Sequence, residues 1–321
     1  MSRVALIFPG QGAQYSGMGS DLYHEFAATR HLFQTTNEAL GYNLQELMFS
    51  GSAEELQLTK HTQPAILTHS VAAWTILADI IPKESIIATA GLSLGEYSAL
   101  VVAGVLPFDE AVVAVHHRGA AMQAAVPVGV GGMSAILGLA TSVVEEIVNR
   151  ADPALGVVAI ANYNSPGQVV ISGKLEALAA LEDELKAAGA SRVVALPVSA
   201  PFHCSLLQPA ADRLAQVLHE VTVGEFNYPV IANTTALPYP GKEMVKEILI
   251  NQVTNGVRWE QTVRYLLQAG CDTFVEIGPG TTLSQFVRRI ARDSDHQVQL
   301  LSCDKVADIA AIKEFFSQPV V

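Results

Sequence analysis

Ser93 stands at the centre of the turn Gly91-Leu92-Ser93-Leu94-Gly95. A serine on a sharp strand-to-helix turn needs small neighbours: flanking glycines let the backbone bend and expose the hydroxyl, and the helix start favours negative charge. Such a turn suits acyl transfer, although five positions of common turn residues also match an ordinary loop. A hydroxyl is a poor nucleophile until a base accepts its proton, and of the nine histidines His203 is placed best for that task. It lies in Pro201-Phe202-His203-Cys204, after an apolar run ending near Val198, where a loop could present it to a cleft. His24, His31, His61, His69, His116, His117, His219 and His296 fall in helical or polar stretches. On spacing alone a structural role for His203 stays open. The stretch Phe8-Pro9-Gly10-Gln11-Gly12-Ala13-Gln14 could aim backbone N–H groups at an oxyanion, or be a plain strand-to-helix turn. No Gly-Lys-Ser/Thr follows it, which argues against a phosphate loop. Arg118 ends a mostly apolar segment and reads first as snorkelling or paired with a carboxylate. Facing the Ser93 cleft instead, its fork of donors would hold a substrate carboxylate at two points and select acids such as malonyl groups.

Alternating apolar runs and helical stretches must position these groups. Val4–Phe8 reads as a buried strand, Asp21–Ala39 and Thr62–Ile80 as helices, Ile86–Ala90 as a strand, and Glu96–Val105 as a helix. This is an α/β rhythm, with the Ser93 turn between strand and helix. From Gly131 to Leu196 the order becomes strand (Met133–Leu139), helix (Ser142–Arg150), hairpin (Val157–Ala161 and Gln168–Ser172), helix (Leu175–Ala188), strand (Arg192–Leu196), which is that of a ferredoxin-like unit. The expectation is a large α/β domain (1–127 and 199–321) with a small ferredoxin-like domain inserted at 128–198, left through Pro197 to Pro201. The large domain resumes with strands at Val230–Ala232 and Thr273–Ile277 and a helix near Thr282–Ala291.

The 321 residues are 50% hydrophobic and 16% charged, with a net charge of -12, as in a compact folded body. Nucleic acid is disfavoured, because phosphate binding needs clustered Lys and Arg. No apolar stretch is long enough to span a bilayer, so no membrane association is expected. The first apolar run reads as a strand and not as a signal peptide. The three cysteines, Cys204, Cys271 and Cys303, are scattered and suggest neither disulfides nor zinc, which fits a reducing cytoplasm.

Taken together, the residues resemble the malonyl-CoA:acyl carrier protein transacylase family over nearly the whole chain. The stretches that carry the resemblance are Phe8 to Gln14, Thr62-Gln63-Pro64-Ala65, Gly91 to Leu100, Arg118 to Gln123, Asn162 to Gly173, Pro201-Phe202-His203, Gln252 to Trp259, and Glu276 to Gly280. The resemblance implies a hydrolase-like large domain with parallel-sheet core and a ferredoxin-like insertion. It further implies Ser93 as nucleophile, His203 as general base, and the N–H groups of Gln11 and Leu94 as the oxyanion hole. Arg118 would pair with the free carboxylate of malonate, and the Gln252 carbonyl would orient the histidine. Asn162 would sit near the cleft, and Phe202 matches the malonyl-preferring pattern. Leu92 departs from the histidine common before the nucleophile, which leaves any substrate contact of that histidine without a counterpart; Ala13 replaces a common serine. No cofactor or metal is required. The implied partners are malonyl-CoA and an acyl carrier protein of fatty acid or polyketide synthesis, and Arg288 and Arg289, with Arg292, are candidates for a docking patch or else a solvated helix face. Competing readings are a serine thioesterase or hydrolase, a trans-acting polyketide acyltransferase with another extender unit, and a non-catalytic scaffold that binds carrier protein.

Overall fold

A computed structural model describes residues 2–198 and 200–318. Among the described residues nine strands form two sheets. In chain order they are β1 (Val4–Phe8), β2 (Ile86–Gly91), β3 (Gly131–Leu137), β4 (Val158–Ser165), β5 (Gln168–Lys174), β6 (Arg192–Ala195), β7 (Val230–Ile231), β8 (Thr273–Ile277) and β9 (Gln299–Cys303). The first sheet has the order β7-β2-β1-β8-β9 with every pair parallel. β1 is its central strand, and all five of its residues are inaccessible to solvent, which is why the run is apolar without alternation. The second sheet is antiparallel, in the order β4-β5-β3-β6.

The strand-helix order of the second sheet is the expected one. Helices Thr141–Asn149 and Leu175–Ala187 cover one face, and Val144, Ile147, Leu178 and Leu185 pack there against Ile136 and Ile171. The expected exit linker at 197–201 contains position 199, which lies outside the described residues.

Two expectations change. The helix read over Asp21–Ala39 is two helices, Ser20–Glu25 and Ala27–Leu40, because Phe26 between them is extended (φ -115°, ψ 119°). The Thr29 hydroxyl stabilises the break, lying 2.9 Å from the Leu22 carbonyl and 2.8 Å from that of Phe26. β9 is an edge strand absent from the expected elements; its residues are mostly half-exposed, so no continuous buried run marks it.

The parallel sheet places the chemistry. Phe8 pairs with Gly91 at the carboxyl ends of β1 and β2, and Ala90 pairs with Ile231, so the segments after β1, β2 and β7 emerge side by side. Open parallel sheets bind ligands at this edge. The second sheet meets the segment that follows the helix Val245–Gln252: Asn162 bridges to Val257, the Tyr163 N–H donates to the Val257 carbonyl at 2.9 Å and the Val257 N–H to the Ala161 carbonyl at 2.8 Å. A cleft forms between the sheets.

Candidate active site

Ser93 sits between β2 and the helix Leu94–Val102, with φ 53° and ψ -101°. Positive φ at a residue with a side chain is strained and persists where packing imposes it. The packing is visible at both glycines. A β-carbon on Gly91 would lie 2.0 Å from the Gly95 carbonyl atoms, and one on Gly95 would lie 2.1 Å from the Phe8 carbonyl oxygen. Helix and strands therefore approach more closely than any side chain would permit. Asn233, just beyond β7, clamps the turn: its Oδ1 accepts from the Ser93 N–H at 2.7 Å, and its Nδ2 donates to the Gly91 carbonyl at 2.7 Å.

The Ser93 hydroxyl is 2.8 Å from Nε2 of His203, a buried residue. On the other side of the ring Nδ1 faces two carbonyls, Gln252 at 2.9 Å and Asn255 at 3.2 Å. Carbonyls only accept, so the proton sits on Nδ1, and Nε2 is left to accept from the serine. Burial, and then the charge of Arg118, lower the His203 pKa to about 4, against the opposing pull of the two carbonyls. The imidazole is neutral and ready to act as a base. Gln252 ends the helix Val245–Gln252, where carbonyls carry the negative end of the dipole, a favourable environment for an imidazolium formed in passing.

Arg118, on the helix Phe108–Ala124, is 1% exposed. Its Nη1 donates to Gln63 Oε1 at 2.8 Å, and its Nη2 donates to Gln252 Oε1 at 2.8 Å and to the Ser93 hydroxyl at 3.0 Å. Among the described residues no carboxylate lies within ion-pairing distance of it, and its Nε has no partner. The snorkelling and carboxylate-paired readings are thereby replaced: Arg118 faces the serine. Burial lowers its pKa, while Tyr97, whose ring lies under the guanidinium, and Glu96 act the other way.

These groups surround a cavity of about 120 Å³, also lined by Met122, Met133, Asn162 and Phe202. That is roughly four waters' share of liquid volume, room for a short acyl group. Gln11 and Leu94 line it too. Leu94 opens its helix, so its N–H has no partner within the helix, and among the described residues no backbone acceptor takes that of Gln11. Leu92 is half-buried and lines both this cavity and an adjoining one of about 240 Å³ bounded by Asn162 and Phe286. Another of about 560 Å³ shares Gln11 and Leu196 with it.

The arginines of the helix Thr282–Asp293 separate. Arg289 donates to Ser165 at 3.1 Å and Gln168 at 2.8 Å, tying that helix to the β4–β5 hairpin. Arg288 and Arg292 are exposed and line a surface hollow with His296.

Sequence reasoning gave no role to Asn233, Gln63, Glu96 or Asn255. Asn233 had a signal: it is a polar residue directly after an apolar strand at the carboxyl edge of a parallel sheet. Gln63 and Glu96 each lie within one of the motif stretches, and Glu96 is the one charged residue of a mostly apolar helix.

With the geometry in place, the chain can be compared with known proteins. Residues 5–309 match the acyl transferase domain family. A malonyl CoA-acyl carrier protein transacylase of Bacillus subtilis is 43% identical over 295 residues, 91% of this chain and 92% of that protein. The transacylase structure from Clostridium perfringens superposes with a TM-score of 0.92 at 39% identity, covering 98% of both chains. A malonyl-transacylase solved in complex with a type II polyketide synthase acyl carrier protein superposes at 0.91 with 39% identity, covering 98% of this chain and all of that one.

Proposed function

The chain belongs to the acyl transferase domain family, and from that premise we propose that it moves a malonyl group from malonyl-CoA to the pantetheine thiol of an acyl carrier protein through an acyl-enzyme on Ser93. The observation that carries the reading is the convergence of His203 Nε2 at 2.8 Å and Arg118 Nη2 at 3.0 Å on one serine oxygen. A base and a fixed cation meet at the nucleophile, as loading of an acyl group with a free carboxylate requires.

In the first half-reaction His203 Nε2 takes the Ser93 proton and the oxygen attacks the thioester carbonyl. The N–H groups of Gln11 and Leu94 hold the resulting oxyanion; a donor of this kind is worth roughly 3 to 4 kcal/mol. Collapse breaks the C–S bond, and the departing thiolate takes the proton back from His203. The carrier's thiol then gives its proton to His203, attacks the Ser93 ester and regenerates the hydroxyl. Proton transfer of this kind contributes about 100-fold to 10,000-fold. Arg118 turns its donors to the malonyl carboxylate while Asn162 and Phe202 bound the acyl group. Arg288, with Arg292 beside it, offers the carrier a basic surface on a molecule of net charge -12; Arg289 joins that surface only at the expense of its bonds to the hairpin.

An Arg118→Ala variant tests substrate choice. Transfer to holo carrier protein should fall at least about 100-fold for malonyl-CoA and far less for acetyl-CoA, on the scale expected when a buried charge-assisted contact is lost. Equal losses for both substrates would make Arg118 structural and remove the malonyl reading.

A further inference from the structure

Glu96 lies three residues after Ser93, in the first turn of the Leu94–Val102 helix, and is fully buried. The hydroxyl of Tyr239 donates to its Oε1 at 2.5 Å. Its Oε2 accepts from Gln252 Nε2 at 2.5 Å and from the Asn233 N–H at 3.3 Å. Catalysis as derived above uses none of these contacts; among the described residues Glu96 has no ion-pair partner, and a buried carboxyl of that kind calls for a reason.

The reason lies in the Gln252 side chain. Its Oε1 accepts from Arg118, and its Nε2 donates to Glu96 and to the Ser93 carbonyl at 2.9 Å. A terminal amide can rotate by half a turn with little steric change, so its neighbours decide which end faces where. Turned over, its N–H₂ would oppose the Arg118 donors. Oε2 of Glu96 already receives two N–H groups, so it is an acceptor whether the carboxyl is charged or protonated, and a proton taken up goes to Oε1 beside Tyr239. Burial raises the Glu96 pKa to about 7, opposed by the bonds from Tyr239, Gln252 and Asn233 and by the charge of Arg118, so both forms occur near neutrality. The amide orientation survives the change.

An intervening amide also differs from a direct ion pair in consequence. A carboxylate bonded straight to Arg118 would occupy the fork that a substrate carboxylate must engage at two points. Through Gln252 and Gln63, both terminal nitrogens of the arginine are anchored on neutral amide oxygens, and no carboxylate among the described residues competes for it.

We propose that Glu96 is a positioning residue for acyl selection: it orients the Gln252 amide so that its oxygen, and not its nitrogen, meets Arg118, holding the guanidinium toward the Ser93 oxygen on neutral partners that a substrate carboxylate can displace. The proposal rests on the reading of Arg118 as the malonyl-binding cation.

The test measures kcat/KM for malonyl-CoA and acetyl-CoA in Glu96→Ala, Glu96→Gln, Gln252→Met and Arg118→Ala, with a thermal melt of each. Glu96→Ala should shrink the malonyl-to-acetyl ratio about tenfold or more, mainly through KM for malonyl-CoA. Glu96→Gln should restore most of the ratio, because its oxygen can take the Oε2 position and its N–H₂ can face the Tyr239 oxygen. Gln252→Met removes the amide and should match Glu96→Ala; if Glu96→Ala does not fold, this variant decides, and an unchanged ratio in it overturns the proposal. Equal losses for both substrates in Glu96→Ala, or a Glu96→Gln variant no better than Glu96→Ala, would also overturn it. A ratio that collapses in Arg118→Ala while Glu96→Ala keeps it rejects Glu96 alone, whereas an intact ratio in Arg118→Ala rejects the underlying assignment of Arg118.

Discussion

At the scale of single residues, the site works by making charge expensive. His203 is kept neutral because burial and the nearby Arg118 guanidinium both oppose protonation, which takes its pKa down from 6.5 to about 4. A lowered pKa at a basic group means that its contribution to stability is present above pH 6.5 and is lost as pH falls through about 4. In the folded protein the free base itself is lost only as pH falls through about 4. The rate of acylation by malonyl-CoA, measured in single turnovers between pH 4 and 8, should therefore keep its His203-dependent limb near pH 4; a limb near 6.5 would show an imidazole in ordinary solvation. The turns that carry Ser93 and His203 could be read from the sequence, but composition and spacing left their roles open, and only the family resemblance implied a nucleophile and a base. The direction of Arg118 was not legible in the residues around it. A helical arginine can face water or protein, and what turns this one inward are Gln63 and Gln252, 55 and 134 positions away. The same holds for Glu96, whose partners Tyr239 and Gln252 lie more than a hundred positions downstream.

At the scale of elements, the strand-turn-helix around Ser93 depends on absent side chains. Gly95 brings the Leu94–Val102 helix against β1, where a β-carbon would sit 2.1 Å from the Phe8 oxygen. Gly95→Ala must separate helix and strand, and both are core elements. It should cost on the order of 3 kcal/mol and lower the melting temperature by roughly 4 to 5 °C, with loss of acylation as the turn relaxes. A variant that melts with the natural protein would show that the close approach is dispensable. Apolar runs such as Val4–Phe8 and Thr273–Ile277 announced their strands because both faces of a parallel sheet are covered. β9 escaped for the opposite reason, being half-exposed at the sheet edge. The break at Phe26 escaped because it depends on the Thr29 hydroxyl, a local contact that helical periodicity does not register.

At the scale of the whole molecule, two sheets of different construction share one cleft. The parallel sheet supplies Ser93, Gln11 and Asn233 at its carboxyl edge; the antiparallel sheet reaches over it through Asn162 and the bridge to Val257, close in sequence to the carbonyls that hold His203. The order of elements in the second sheet could be read from the sequence, whereas its docking beside the parallel sheet could not, since it includes a bridge from Asn162 to Val257, almost a hundred positions apart. The proposed reaction requires a covalent malonyl group at Ser93 that a carrier protein removes. Intact mass spectrometry after brief exposure to malonyl-CoA should show one added malonyl group per chain, none on Ser93→Ala, and its transfer to holo carrier protein when that is added. An adduct that persists in Ser93→Ala, or one that leaves to water at the same rate with and without carrier protein, would contradict it.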